Sequence, residues 1–156
     1  MSWTKKILAS LITSFIIFTV IIFSFEGLLK YYLGLGKPVV YEPHNLWGYS
    51  PKSNSKYTRF KEKYEITIND VGLRSKANWN RQSKKILFLG DSVTYGGSYL
   101  NDEQTFSHQV CKKLANYYCF NGGVNGYGIL NMVARSKHDK RIASADVVVF
   151  TFITGT

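Results

Sequence analysis

Residues 86–97 read Ile-Leu-Phe-Leu-Gly-Asp-Ser-Val-Thr-Tyr-Gly-Gly, an apolar run that stops at a glycine and leaves one serine in a loop of small residues. Ile86 to Leu89 shows no polar alternation, the pattern of a parallel strand covered on both faces. The break at Gly90 puts Ser92 at the carboxyl end of the sheet, where open α/β proteins place their ligands. Outward from that strand the pattern becomes regular. Thr105 to Tyr117 carries Phe106, Val110, Leu114 and Tyr117 at helical spacing, which predicts a helix with those four residues in the core, and Asp102 and Glu103 lie near its start where negative charge is favoured. Tyr118–Asn121 reads as a short second strand, Tyr127–Ile142 as a helix and Asp146–Ile153 as a third strand. Strand, helix, strand, helix, strand calls for right-handed crossovers and a parallel sheet, so the fold class is α/β.

Several of these segments resemble one family as an ordered set. Gly90-Asp91-Ser92-Val93-Thr94 resembles the first sequence block of the SGNH (GDSL-type) hydrolases, and Asn121-Gly122-Gly123-Val124-Asn125-Gly126 resembles the second. Thr151-Phe152-Ile153-Thr154-Gly155-Thr156 looks like the strand and opening of the third block, Gly-x-Asn-Asp, cut before its asparagine. Asn69-Asp70-Val71-Gly72-Leu73-Arg74 resembles the Asn-x-x-Gly-Φ-Arg lead-in (Φ apolar) of membrane-anchored members. The fourth block, Asp-x-x-His, has no counterpart here, and the likeness covers residues 65–156.

The resemblance implies a three-layer α/β/α, flavodoxin-like parallel sheet of strand order 2-1-3-4-5, incomplete in this chain. It implies hydrolysis of O-acyl esters of lipids or envelope glycans with no metal and no organic cofactor. Ser92 would be the nucleophile, and the N–H groups of Ser92 and Gly126 would hold the oxyanion. A serine hydroxyl is a poor nucleophile until an imidazole takes its proton. None of His44, His108 and His138 stands in an Asp-x-x-His context, each reads as a surface histidine, and the family's Asn, Asp and His have no match. The expectation is therefore a truncated hydrolase, inactive by itself. The alternative is a non-catalytic, membrane-anchored interaction module that keeps the scaffold. A phosphate-binding loop would need Gly-x-Gly-x-x-Gly or Gly-Lys-Ser/Thr, and the serine loop has neither.

Ile7 to Phe25 is nineteen residues without a charge, long enough to cross the hydrocarbon of a bilayer as a helix. Lys5 and Lys6 precede it, which predicts a cytoplasmic N-terminus and a domain outside, periplasmic or extracellular. Trp3 at one end and Tyr31 with Tyr32 at the other suit the two membrane interfaces. A cleaved signal peptide is the competing reading, but the stretch exceeds the usual h-region and no small-x-small site follows. Three parts result: a cytoplasmic tip and transmembrane anchor over 1–32, a connector over 33–83, and the hydrolase-like part over 84–156.

In the connector, Gly34, Gly36 and Pro38 end the helix and Tyr41–Tyr49 reads as an irregular, surface-packed segment. Tyr57–Phe60 and Tyr64–Ile68 alternate like strands and predict a small hairpin. Gly72 reads as a turn glycine with positive φ, while Arg74 stays open as an ion-pair or a substrate residue.

The net charge is +10, from twenty Lys and Arg against ten Asp and Glu. These charges are scattered, and no zinc, RRM or helix-turn-helix pattern appears, so nucleic acid is not the expected partner. Attraction to anionic headgroups or acidic envelope polymers suits an anchored domain better, and stronger than either is the reading in which a further C-terminal half carries the compensating acids and the charge describes these residues only. Cys111 and Cys119, with seven residues between them, can bridge outside the cytoplasm or stay buried as free thiols, and no metal-ligand spacing is present.

Overall fold

The computed structural model describes residues 2–36, 38–81 and 84–153. The strand read from residue 86 is β5 (Lys85–Gly90), counted after four strands of the connector, and all six of its residues are buried. It lies in the middle of a parallel sheet, between β6 (Tyr118–Gly123) and β7 (Val147–Thr151). The first strand of the series is thus central, as the 2-1-3 order requires. Gly90 stands opposite Gly123 on one side and Thr151 on the other, so all three strands end level.

Helices cover both faces of this partial sheet. Leu87 and Leu89 point to one face, where Met132 of α4 (Ile129–His138) and Ile142 of the following 3-10 turn close over them. Phe88 points to the other, and its ring meets Phe106 of α3 (Phe106–Cys111) edge-on, centroids 5.6 Å apart. Between β5 and α3 comes a single helical turn, α2 (Ser92–Tyr95).

Two helices are shorter than their periodicity predicts. α3 stops at Cys111 rather than Tyr117, because Cys111 and Cys119 are joined by a disulfide with Cα atoms 5.6 Å apart. A helix running on to Tyr117 would carry the chain away from the start of β6, so the chain instead tightens into i to i+3 turns and reverses at Asn116, φ 69°. The expected core role of its apolar face fails with it: Phe106, Val110, Leu114 and Tyr117 are 37–40% exposed. α4 ends at His138 because Asp139 turns the chain out of helical geometry and caps the next turn, its carboxylate accepting from the Arg141 N–H.

The connector is more ordered than its composition predicts. Tyr41–Tyr49 is not irregular but belongs to a hairpin, β1 (Tyr41–His44) against β2 (Gly48–Pro51), with Gly48 at φ 91° closing the turn. The second hairpin forms where the alternation predicts it, with β4 (Tyr64–Ile68) as expected, but β3 runs Ser55–Arg59 rather than Tyr57–Phe60, because Phe60 at φ 52° already belongs to the turn. Arg74 then bridges Ile68 and Asn121 in antiparallel fashion, which attaches β4 to the edge of β6. Gly72 has the expected positive φ, 77°. Its N–H donates to Asn69, and a Cβ there would stand 2.8 Å from the Pro51 carbonyl oxygen, so only glycine fits.

α1 (Trp3–Leu33) is one helix of 31 residues with no buried side chain, long and apolar enough to cross a membrane. It closes on Gly34 in the left-handed conformation, whose N–H donates to the Lys30 carbonyl at 3.0 Å.

Among the described residues no strand pairs with the outer edge of β7, where Val147, Val148 and Phe150 are each about two-fifths exposed. An open apolar edge is a template for association. The chain from residue 38 onward is expected to self-associate, and Val148→Lys to suppress that association, in sedimentation velocity. Equal association of the two proteins would show that the edge is not the contact.

Candidate active site

Ser92 opens α2 one residue beyond Asp91, whose carboxylate caps the turn by accepting from the Val93 N–H at 2.9 Å. The serine is exposed and its hydroxyl makes no hydrogen bond to a described residue. Two close approaches seat this turn on the sheet. A Cβ on Gly90 would stand 1.8 Å from Thr94 Oγ1, and one on Gly123 would stand 2.2 Å from the Tyr95 nitrogen. Gly90 thus leaves room for the Thr94 and Thr151 side chains, and Gly123 allows the backbone of α2 to lie directly on the end of β6.

Side chains then lock the turn down. Asn121, 2% exposed, donates from Nδ2 to the Thr94 carbonyl at 2.6 Å and accepts the Gly123 N–H at 2.9 Å. The hydroxyls of Thr94 and Thr151 hydrogen-bond to each other, and Thr151 donates to the Leu89 carbonyl. All three strand ends thereby hold the residues that follow Ser92.

Gly126 lies three residues past the end of β6, on the same carboxyl edge of the sheet as Ser92. Its φ is 81°, and a Cβ there would stand 2.8 Å from Tyr49 Oη. Tyr49 donates to the Asn125 carbonyl at 2.6 Å, and Tyr127 returns a hydrogen bond from its hydroxyl to the Tyr49 carbonyl. The β1–β2 hairpin thus shapes the Gly126 loop. Neither the Ser92 N–H nor the Gly126 N–H is used in a hydrogen bond to a described residue. An oxyanion site requires preplaced donors that are not already engaged, and both N–H groups meet that condition.

Arg74, open between two roles in the sequence, takes the ion-pair role. It is fully buried, and its Nε donates to Asp102 Oδ1 at 2.8 Å. Its remaining nitrogens donate to the carbonyls of Tyr95 at 2.8 Å, Gly97 at 2.7 Å and Leu100 at 2.5 Å. The other Asp102 oxygen accepts the Thr67 N–H of β4 at 3.0 Å. The guanidinium also faces the Tyr95 ring at 5.1 Å. Burial pushes the Tyr95 phenol well above its ordinary value, only partly opposed by the Arg74 charge, so Tyr95 stays neutral and is no general base near neutral pH.

The histidines are elsewhere. His44 stacks on Trp47 with centroids 3.2 Å apart and accepts the Leu46 N–H, and His138 is exposed at the end of α4. His108 lines a cleft of about 360 Å³ near the start of β6, together with Lys76, Glu103 and the disulfide, and neither Ser92 nor Gly126 borders it. Thr154, Gly155 and Thr156 of the third motif lie outside the described residues. Asn121, Tyr49 and Tyr127, which position the loops, were legible only as motif or aromatic residues. Their roles depend on partners 27 to 78 positions away. No group of three or more His, Cys, Asp or Glu among the described residues could hold a metal ion.

Comparison with protein-family models and with curated proteins found no match to this sequence.

Removing one partner of a buried ion pair leaves an uncompensated charge, at about 3–5 kcal/mol. Arg74→Met is expected to lower unfolding free energy in urea by that amount. The double variant Arg74→Met/Asp102→Leu is expected not to recover, because the carbonyls of Tyr95, Gly97 and Leu100 and the Thr67 N–H stay unpaired at about 1–3 kcal/mol each. Full recovery would reduce Arg74 to a simple pair with Asp102.

Proposed function

We propose that this chain carries the nucleophile and oxyanion elements of an SGNH-type serine hydrolase acting on ester bonds, held at a membrane by α1 with its N-terminus in the cytoplasm and its sheet outside. One observation carries the reading: Ser92 is exposed at the carboxyl end of the central parallel strand, and the unengaged N–H groups of Ser92 and Gly126 lie on the same sheet edge. In this reading Ser92 Oγ attacks the acyl carbonyl, the carbonyl oxygen becomes an oxyanion held by the two N–H groups, and the alcohol leaves to give an acyl-serine. Water then releases the acid. The serine proton passes to an imidazole of an Asp-x-x-His block, which the 156 residues do not contain. The substrate class that fits an outward-facing anchored domain is the O-acyl ester of a lipid or an envelope glycan. The second reading is a non-catalytic membrane-anchored module that keeps the scaffold.

The reading frame through and beyond Thr156 separates the two. Continuation into Asn-Asp and a later Asp-x-x-His is expected, and membranes bearing the product of that frame should hydrolyse p-nitrophenyl acetate with at least about a thousandfold loss in Ser92→Ala. Hydrolysis indifferent to Ser92→Ala, or a frame without those residues, would favour the non-catalytic module. The 156-residue chain itself is expected to show no Ser92-dependent turnover.

Topology has its own test. After a carbonate wash the full chain should stay in the membrane pellet, and a reporter fused after Thr156 should work only if it functions outside the cytoplasm. A shortened, soluble product would favour a cleaved signal peptide.

A further inference from the structure

The tip of the β3–β4 hairpin folds back onto the end of α1. The Phe60 N–H donates to the Leu33 carbonyl at 3.4 Å, the Arg59 guanidinium donates to the Gly34 carbonyl, and a Cβ on Gly34 would stand 3.1 Å from the Arg59 Cα. Between them lies a cavity of about 340 Å³ lined by Lys30, Tyr31, Thr58, Arg59, Lys61 and Glu62. Lys61 Nζ sits 3.9 Å from the Tyr32 ring centroid and 5.1 Å from that of Tyr31. Three cations meet one carboxylate in the lining, and although Glu26 pairs with Lys30 at 2.7 Å, the excess stays positive. No described carboxylate forms an ion pair with Arg59 or Lys61.

Two further facts mark this cavity as a site. Phe60, Lys61 and Glu62 are consecutive non-glycine residues in the left-handed region, φ 52°, 55° and 65°. Backbone strain of that kind concentrates at ligand clamps. The depth is also right. Lys30 lies five residues past Phe25, the last residue of the uncharged stretch, and at a rise of about 1.5 Å per residue this sets it roughly 8 Å beyond the hydrocarbon, in the headgroup layer.

We propose that the junction of α1 with the β3–β4 hairpin binds the phosphate of an anionic phospholipid headgroup, with Arg59, Lys61 and Lys30 meeting the phosphate. Thr58 offers a hydroxyl donor, and Glu62 biases the cavity against a second negative group. The proposal rests on α1 spanning a bilayer. Its consequence is orientation: a headgroup held between helix and hairpin fixes the sheet relative to the membrane plane, with the exposed Phe60 ring at the interface.

The full chain, reconstituted in nanodiscs of equal phosphatidylglycerol and phosphatidylcholine, is released into native mass spectrometry and the retained lipids are counted. Phosphatidylglycerol is expected to dominate. Lys61→Gln should lower that preference about fivefold, the value of one cation near an anionic surface, and Glu62→Gln should raise it, with all three proteins remaining in the discs. Equal retention of both lipids by the wild-type chain, or a preference indifferent to both substitutions, would overturn the site while leaving the membrane anchor intact. Failure of the chain to enter these discs would overturn the anchor and the proposal with it. Displacement of the lipid by inorganic phosphate would overturn the lipid assignment in favour of a soluble anion.

Discussion

A single buried guanidinium ties together the parts of this molecule that are far apart in sequence. Arg74 neutralises Asp102, whose other oxygen holds β4, and it donates to the carbonyl of Tyr95 at the end of α2 and to two carbonyls of the loop that follows. Its own backbone bridges β4 and β6. A charge removed from water is costly unless every donor finds an acceptor, so the five segments that meet here have little freedom to move independently. The turn bearing Ser92 is thereby held from behind by Arg74 and from below by the sheet.

The sheet's own contribution is a matter of missing atoms. Gly90 and Gly123 lie opposite each other at the ends of adjacent strands, and both lack the Cβ that would collide with α2. Asn121 and the Thr94–Thr151 pair supply the hydrogen bonds that a one-turn helix cannot make for itself. The exposed serine therefore sits on a rigid base although its own side chain is unrestrained. Rigidity of that kind suits a nucleophile that must meet a carbonyl carbon in a narrow range of angles.

The two hairpins divide the remaining work. The β1–β2 hairpin serves the Gly126 loop through Tyr49 and Tyr127, while the β3–β4 hairpin reaches both α1, through Arg59 and Phe60, and the serine loop, through Thr67 and Asp102. One antiparallel ribbon thus runs from the end of the apolar helix to the edge of the parallel sheet. Whatever orients the helix also orients the sheet edge that carries Ser92.

Elements governed by local pattern were legible in the sequence. The unbroken apolar run of β5, the uncharged stretch of α1, the alternation of β3 and β4 and the turn at Gly72 each follow from neighbours within a few residues, because periodicity and backbone freedom are local properties. The parallel sheet follows from the order of elements, while the central place of its first strand was implied only by the family resemblance. Tertiary contacts decided the rest. The length of α3 was set by a disulfide to a residue on the next strand, which overrode helical spacing. The hairpin over Tyr41–Pro51 formed where Gly48 could close the turn, despite a composition that reads as loop. The role of Arg74 was undecidable from sequence, since a guanidinium binds a carboxylate of its own chain or of a ligand by the same geometry. Only the position of Asp102, 28 residues away, chose between them.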